Sequence, residues 1–269
     1  MNLNFDFNWI PKFCFHYFYR MRHLTSSVLV FLTIFINYSC EEKSMDAQSI
    51  VAQAYDAHGG KANWDNINEL RYVKESVVYN DDGTIRLKNK QEHYYTYKPY
   101  FVASIDWEVG NDLHQITYTD AAATKNVNGT LVNDQAVAES AYNAVNAARY
   151  TVSQPFKLSD KGVQLTYEGI DELEEGQKVH VVKASYNMEN ENHTDNDEWW
   201  YFFEVDTYLC LATMVHHGTT YSYIKNLEFD RSTNIVFNYH RKGYSVDSAR
   251  NILFFQSEYF YRNYRIEGD

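Results

Sequence analysis

The sequence is poor in the residues that staple or interrupt a fold: its 269 residues include 3 cysteines, 3 prolines and 11 glycines. Three cysteines, at positions 14, 40 and 210, do not make a disulfide scaffold. Cys210 stands in Tyr208-Leu209-Cys210-Leu211-Ala212, the setting of a small buried hydrophobe rather than of a reactive thiol. No stretch rich in Pro, Gly and Ser divides the chain, so one domain is the expectation. Basic residues are also scarce, 24 against 36 acidic, for a formal charge of −12. A surface this acidic repels phosphate backbones, and no Lys/Arg stripe offsets it, so nucleic acid is not an expected partner. Missing too are a Gly-x-Ser-x-Gly elbow, a His-Glu-x-x-His helix and a Cys-x-x-Cys pair, leaving no motif for a nucleophile, a metal or a cofactor.

A long apolar run is absent as well. Leu24–Ile36 is 13 residues, too short to span a bilayer comfortably but suited to the core of a signal peptide. Met21-Arg22-His23 supplies the basic start and Asn37-Tyr38-Ser39-Cys40 the end, with small Ser39 fitting the pocket of a lipoprotein signal peptidase. The motif resembles the bacterial lipobox, from which Asn37 and Tyr38 depart. The expected organisation is an upstream start at 1–20, a lipoprotein signal peptide at 21–39, a tether at 40–45 beginning at lipidated Cys40, and a single domain over 46–269. Removing the leader takes away Lys12, Arg20 and Arg22 against only Asp6, which leaves 21 basic and 35 acidic side chains and a charge of −14. Glu41-Glu42-Lys43 after the cysteine reads equally as a solvated tether or as a signal for export to the outer face of an outer membrane.

What the sequence has in quantity is aromatic side chains, 24 Tyr and 16 Phe among them, which fit the pleated, half-buried surface of a sheet. Asp46 can cap a helix whose Ala47, Ile50, Val51, Ala54 and Tyr55 form one stripe through to His58, with Gly59-Gly60 as its left-handed stop. From Leu70 the pattern becomes strands separated by turn signals, including Asp82-Gly83, Asn111-Asp112 and the hairpin signal Asn128-Gly129. A second, Ala-rich helix is predicted from Asp134 to Arg149, and strands resume at Val163, ending with Ile235–His240 and Phe254–Ile266. The expected fold is therefore α+β, an antiparallel sheet with two main helices.

The ordered run Tyr55, His58-Gly59-Gly60, Trp64, Leu70, then Pro155-Phe156-Lys157-Leu158, Gly162-Val163, Tyr167, Val179-His180-Val181-Val182-Lys183, Trp200-Tyr201-Phe202 and Val205-Asp206-Thr207-Tyr208-Leu209 resembles an uncharacterised family of outer-membrane lipoproteins. That family is similar in fold to the periplasmic lipoprotein carriers (LolA/LolB-like), and the resemblance runs from Asp46 to His217. It implies a curved antiparallel sheet, an incomplete barrel, covered by two main α-helices with an apolar cavity between. Little of the segment after Gly218 matches.

Candidate chemistry is sparse. His216-His217 are adjacent, so on a strand they point to opposite faces and do not readily chelate one ion. The oxygen-rich segment 189–198 lacks the Gly and spacing of a calcium loop, and Asp171/Glu172 and Glu174/Glu175 lie in a hydrated turn. No metal and no cofactor are expected. Trp199-Trp200-Tyr201-Phe202-Phe203 places aromatics on both faces of a strand, which implies cover on both sides. The leading reading is a non-catalytic lipoprotein anchored to a membrane through Cys40, at the outer membrane and facing the periplasm or the cell surface. It would bind a lipid or acyl chain, with Trp199, Tyr201, Phe203, Leu211 and Trp107 lining the site. A surface glycan-binding module is the alternative and an enzyme of unknown class the second one.

Overall fold

The computed structural model describes residues 45–120, 122–186 and 197–268. The expected start at 1–20, the signal peptide, Cys40 with its tether as far as residue 44, and most of the oxygen-rich segment lie outside the described residues.

Two helices form where the apolar stripes predict them. Helix α1, Ala47–Ala57, is capped by Asp46, whose carboxylate accepts the Ser49 N–H at 2.6 Å, and it buries Ala47, Ile50, Val51 and Ala54. A short helix α2, Lys61–Asp65, follows the Gly59-Gly60 turn. Helix α3, Gln135–Val152, is capped by Asp134 through the Val137 N–H and runs one turn beyond the predicted Arg149, because Val152 is also buried.

Apart from 3-10 turns at Phe156–Ser159 and Glu174–Gly176, the other regular structure among the described residues is sheet. Strands β1 (Ile67–Tyr79), β2 (Ile85–Thr96), β3 (Val102–Val109), β4 (Asp112–Thr119), β5 (Ala122–Val127) and β6 (Thr130–Leu131) precede α3. After it come β7 (Val163–Glu172), β8 (Lys178–Tyr186), β9 (Glu198–Glu204), β10 (Cys210–His217), β11 (Thr220–Asp230), β12 (Phe237–Val246) and β13 (Ile252–Gly268). All thirteen join one antiparallel sheet in the order β6-β5-β4-β3-β2-β1-β13-β12-β11-β10-β9-β8-β7. Two meanders thus meet where β13 pairs with β1, from Ile67 opposite Gly268 to Val78 opposite Ser257. The edge strands β6 and β7 do not pair with each other, so the sheet stays open. Helix content is low, and the sheet carries most of the fold.

Both helices lie on one face. Ala141, Val145 and Val152 of α3 share a core with Leu70, Tyr72, Tyr95, Ile105, Ile116, Tyr118 and Tyr261, while α1 packs on Val182, Ala184, Tyr201, Phe203 and Cys210. Cross-strand register connects these two cores through Tyr259 opposite Arg241, Arg241 opposite Asn226, Ile224 opposite Thr213 and Thr213 opposite Tyr201. The opposite, outer face has its own apolar cluster of Val179, Val181, Phe202, Ala212, Met214, Tyr223 and Val246. Arg250, from the turn between β12 and β13, lies over Phe202 at 4.9 Å and pairs with Asp171, while Lys225 pairs with Glu174 at 2.5 Å. Asp171 near the end of β7 and Glu174 in the turn after it therefore latch the back of the sheet.

Candidate functional site

The helix-side face is where apolar surface, aromatic rings and buried polar groups concentrate. Alternation along β9 puts Trp199, Tyr201 and Phe203 on this face and Trp200 and Phe202 on the outer one. Tyr201 and Phe203 are 0% exposed beneath α1, whereas half-buried Trp199 stands beside the Tyr150 ring at 4.5 Å. Leu211 does not join them. A bulge between Cys210 and Ala212 turns it towards the outer cluster, so the expectation that it lines the same wall is corrected. Trp107 is on the helix-side face but in the other meander, stacked on His114 at 5.2 Å with the Lys125 ammonium 5.3 Å above its ring.

Polar groups that the sequence did not single out sit among these rings. The Tyr150 hydroxyl shares hydrogen bonds with those of Tyr186 at 2.5 Å and Tyr201 at 2.6 Å, joining α3 to β8 and β9. Burial holds all three hydroxyls above the usual tyrosine range, so the cluster stays neutral. Arg241, 2% exposed, donates from Nε to Asn226 Oδ1 at 2.7 Å and from Nη2 to Gln154 Oε1 at 3.4 Å. Asn226 in turn donates to the Cys210 carbonyl at 2.7 Å. Further along the face, His93 Nδ1 lies 3.0 Å from the Tyr95 hydroxyl, which is 3.2 Å from that of Tyr72. The Lys74 ammonium lies 4.9 Å above the Tyr259 ring.

His58 ties α1 to this face and is more than a helix stop. Its Nδ1–H donates to the Val236 carbonyl at 3.1 Å, and its Nε2 accepts the Cys210 N–H at 3.2 Å, an arrangement that requires the neutral ring. Burial lowers its pKa from 6.5 to about 4. The unfolded chain therefore binds the extra proton first, and stability present above pH 6.5 is lost as pH falls towards 4. At about 1.4 kcal/mol per unit the loss is about 3 kcal/mol, and buried His93 and His180, both lowered by burial, act in the same direction. Urea unfolding at pH 7 and pH 4 checks this, and equal stabilities would contradict it.

A cleft of about 370 Å³ on the outer face is lined by Trp200, Phe202, Met214 and Tyr221 with Glu168, Glu198 and Arg250 around them. Trp200 Nε1 donates to Glu168 at 3.0 Å, and the His216 ring stacks on Tyr221 at 4.2 Å.

No family model matches this chain, and no curated protein matches it by sequence. Solved structures do match in fold. A LolA superfamily protein from Nitrosomonas europaea aligns with a TM-score of 0.54 over 84% of this chain and 96% of its own, at 8% identity. A DUF1329 family protein from Desulfovibrio piger aligns with a TM-score of 0.51 over 81% and 93%, also at 8% identity. A domain from Vibrio parahaemolyticus described as an outer membrane lipoprotein-sorting protein aligns with a TM-score of 0.50 over 82% and 92%, at 7% identity. The chain has a LolA/LolB-like fold: an open antiparallel sheet with its helices on one face. At these identities the likeness is one of fold alone.

Proposed function

We propose that this chain is a non-catalytic lipoprotein, held at an outer membrane through acylated Cys40, that binds a lipid or acyl chain on the helix-side face of its sheet. The observation that carries the reading is this face itself, where an apolar core in each meander is covered by a separate helix rather than by a second sheet and Tyr55 packs against both cores. Such a layer opens along the seam between helices and sheet without breaking a strand ladder, and a chain-like apolar ligand would fill the space created. Neighbours described as LolA-like and as lipoprotein-sorting add support. Trp199, at the margin of the seam, would be met first, then Tyr201 and Phe203 as α1 moves away, with Trp107 at the far end.

Titration of the purified protein with a fluorescent fatty acid tests the proposal. Saturable binding is expected, weakened by about 1–3 kcal/mol in Trp199→Ala and Phe203→Ala, with folding checked by circular dichroism. Absence of saturable binding by the wild type, or unchanged binding by folded variants, would remove it. A second reading is favoured by the outer cleft, where Trp200 and Tyr221 lie beside Glu168 and Glu198, a combination of stacking rings and hydroxyl acceptors suited to a glycan. Oligosaccharide binding lost in Trp200→Ala, together with no fatty-acid binding, would put that reading first.

A further inference from the structure

Charge is divided between the two faces of the sheet in a way the overall composition does not suggest. The chain is strongly acidic, yet the carboxylates within strands point outward: Glu69 and Glu75 on β1, Glu92 on β2, Asp106 and Glu108 on β3, Glu258 on β13. Among the described residues, acidic side chains with the opposite alternation occur at strand ends only, Asp112, Glu172 and Asp230. Cations occur on both faces, Lys183, Lys225 and Lys242 outward beside carboxylates, but the helix-side face keeps two of them away from acidic side chains. Arg241 is there at 2% exposure with amide partners alone, and Lys74 is there over the rings of Tyr259 and Tyr261. Among the described residues neither cation forms an ion pair with a carboxylate.

A guanidinium taken out of water without an opposite charge is costly, because neutral amides return only part of its hydration. Position makes the pair of cations usable together. Arg241 is directly opposite Tyr259, Tyr259 is opposite Ser76, and Lys74 is the next residue on that face of β1. Two strand spacings, about 10 Å, separate β12 from β1, within the combined reach of two long side chains. Unpaired polar atoms lie on the same face: Thr213 Oγ1 on a residue 1% exposed and His93 Nε2 on one 3% exposed.

We propose that the helix-side face recognises an anionic head group, with Arg241 as its principal contact and Lys74 as the second cation, so that the bound molecule is an acidic amphiphile rather than a neutral lipid. This rests on the apolar-ligand reading and adds the charge of the head. A carboxylate or a phosphate would satisfy the guanidinium through two parallel hydrogen bonds, while the attached chain lies along the aromatic wall.

Three probes with the same chain, oleate, oleyl phosphate and oleyl alcohol, separate the terms by isothermal titration of the purified protein below their aggregation concentrations. Wild type is expected to bind at least one anion about tenfold or more tightly than the alcohol, as a charge-assisted contact implies. Preference for oleate would identify a free acyl carboxylate and preference for oleyl phosphate a phospholipid-type head. Arg241→Met should bring the preferred anion to within about threefold of the alcohol, whereas Arg241→Lys should keep most of the preference. Equal binding of anions and alcohol by wild type, or a preference that survives in Arg241→Met, would overturn the proposal while leaving the apolar-ligand reading in place. No binding of any probe would overturn both. Should Arg241→Met not fold, the wild-type ratio and Lys74→Met, expected to reduce the preference in part, decide the matter.

Discussion

Removal of residues 219–269 is expected to leave no cooperatively folded protein. The segment is at the chain's end but in the sheet's middle: β11, β12 and β13 are the part of the second meander that joins β10 to the first, and β13 is the partner of β1 along almost its whole length. Its loss would expose the edges of β1 and β10 and take Ile235, Phe237, Tyr261 and Tyr264 out of the main core. Burial of side chains of this size contributes about 1.5–3 kcal/mol each, so four together match the whole stability of an ordinary domain, about 5–15 kcal/mol. Unfolding followed by circular dichroism should show no sigmoidal transition. A truncated chain that keeps its transition would mean that the first ten strands fold without the last three, contrary to the topology.

Gly59→Ala should cost about 3 kcal/mol or more, far beyond a usual glycine substitution. Gly59 has a φ of 104°, and a Cβ there would be 2.1 Å from the Asn234 carbonyl oxygen and 3.0 Å from the Ile235 Cα. Both obstacles are backbone, held in place because the Val236 N–H donates to the His58 carbonyl at 3.0 Å while the His58 ring donates back to Val236. The methyl group would therefore separate α1 from the segment entering β12, adding a steric cost to the left-handed backbone penalty. Gly83, with a φ of 81° and nothing within 4 Å of its added Cβ, isolates the backbone penalty, about 1–2 kcal/mol. Similar urea midpoints for Gly59→Ala and Gly83→Ala would show that the close approach is unimportant.

Local features were legible in the sequence where a local cause fixes them. Asp46 and Asp134 cap their helices through side-chain bonds three residues away, Gly59-Gly60 both take positive φ, and Asn128-Gly129 turns the β5–β6 hairpin. Those causes act within a few residues, which is the range over which alternation and caps carry information. The union of β1 with β13 was not legible, since it pairs residues nearly two hundred positions apart and no periodicity encodes the partner of a strand. Strand β12 was predicted as Ile235–His240 but occupies Phe237–Val246, because Arg241-Lys242-Gly243 reads as a polar end to the hydrophobic pattern while the side chain of Arg241 is in fact buried. The residue that hid the strand is also the one on which the head-group proposal depends. Leu211 was misplaced for a different reason: one bulged residue exchanges the faces of all that follows, and a bulge leaves no mark in alternating apolar residues. In the sequence His58 marks a helix end, and its bonds to Val236 and Cys210 come from parts of the chain that only the fold brings near.

Native mass spectrometry of the protein isolated from its source cell shows whether this LolA/LolB-like sheet holds an apolar ligand beneath its helices. The expected spectrum has a mass above that of the polypeptide and its acyl anchor, the excess leaving on collisional activation as one lipid-sized species and reduced in Phe203→Ala. A spectrum that shows the polypeptide and its anchor alone, from preparations gentle enough to retain a control lipid-binding protein's ligand, would contradict it.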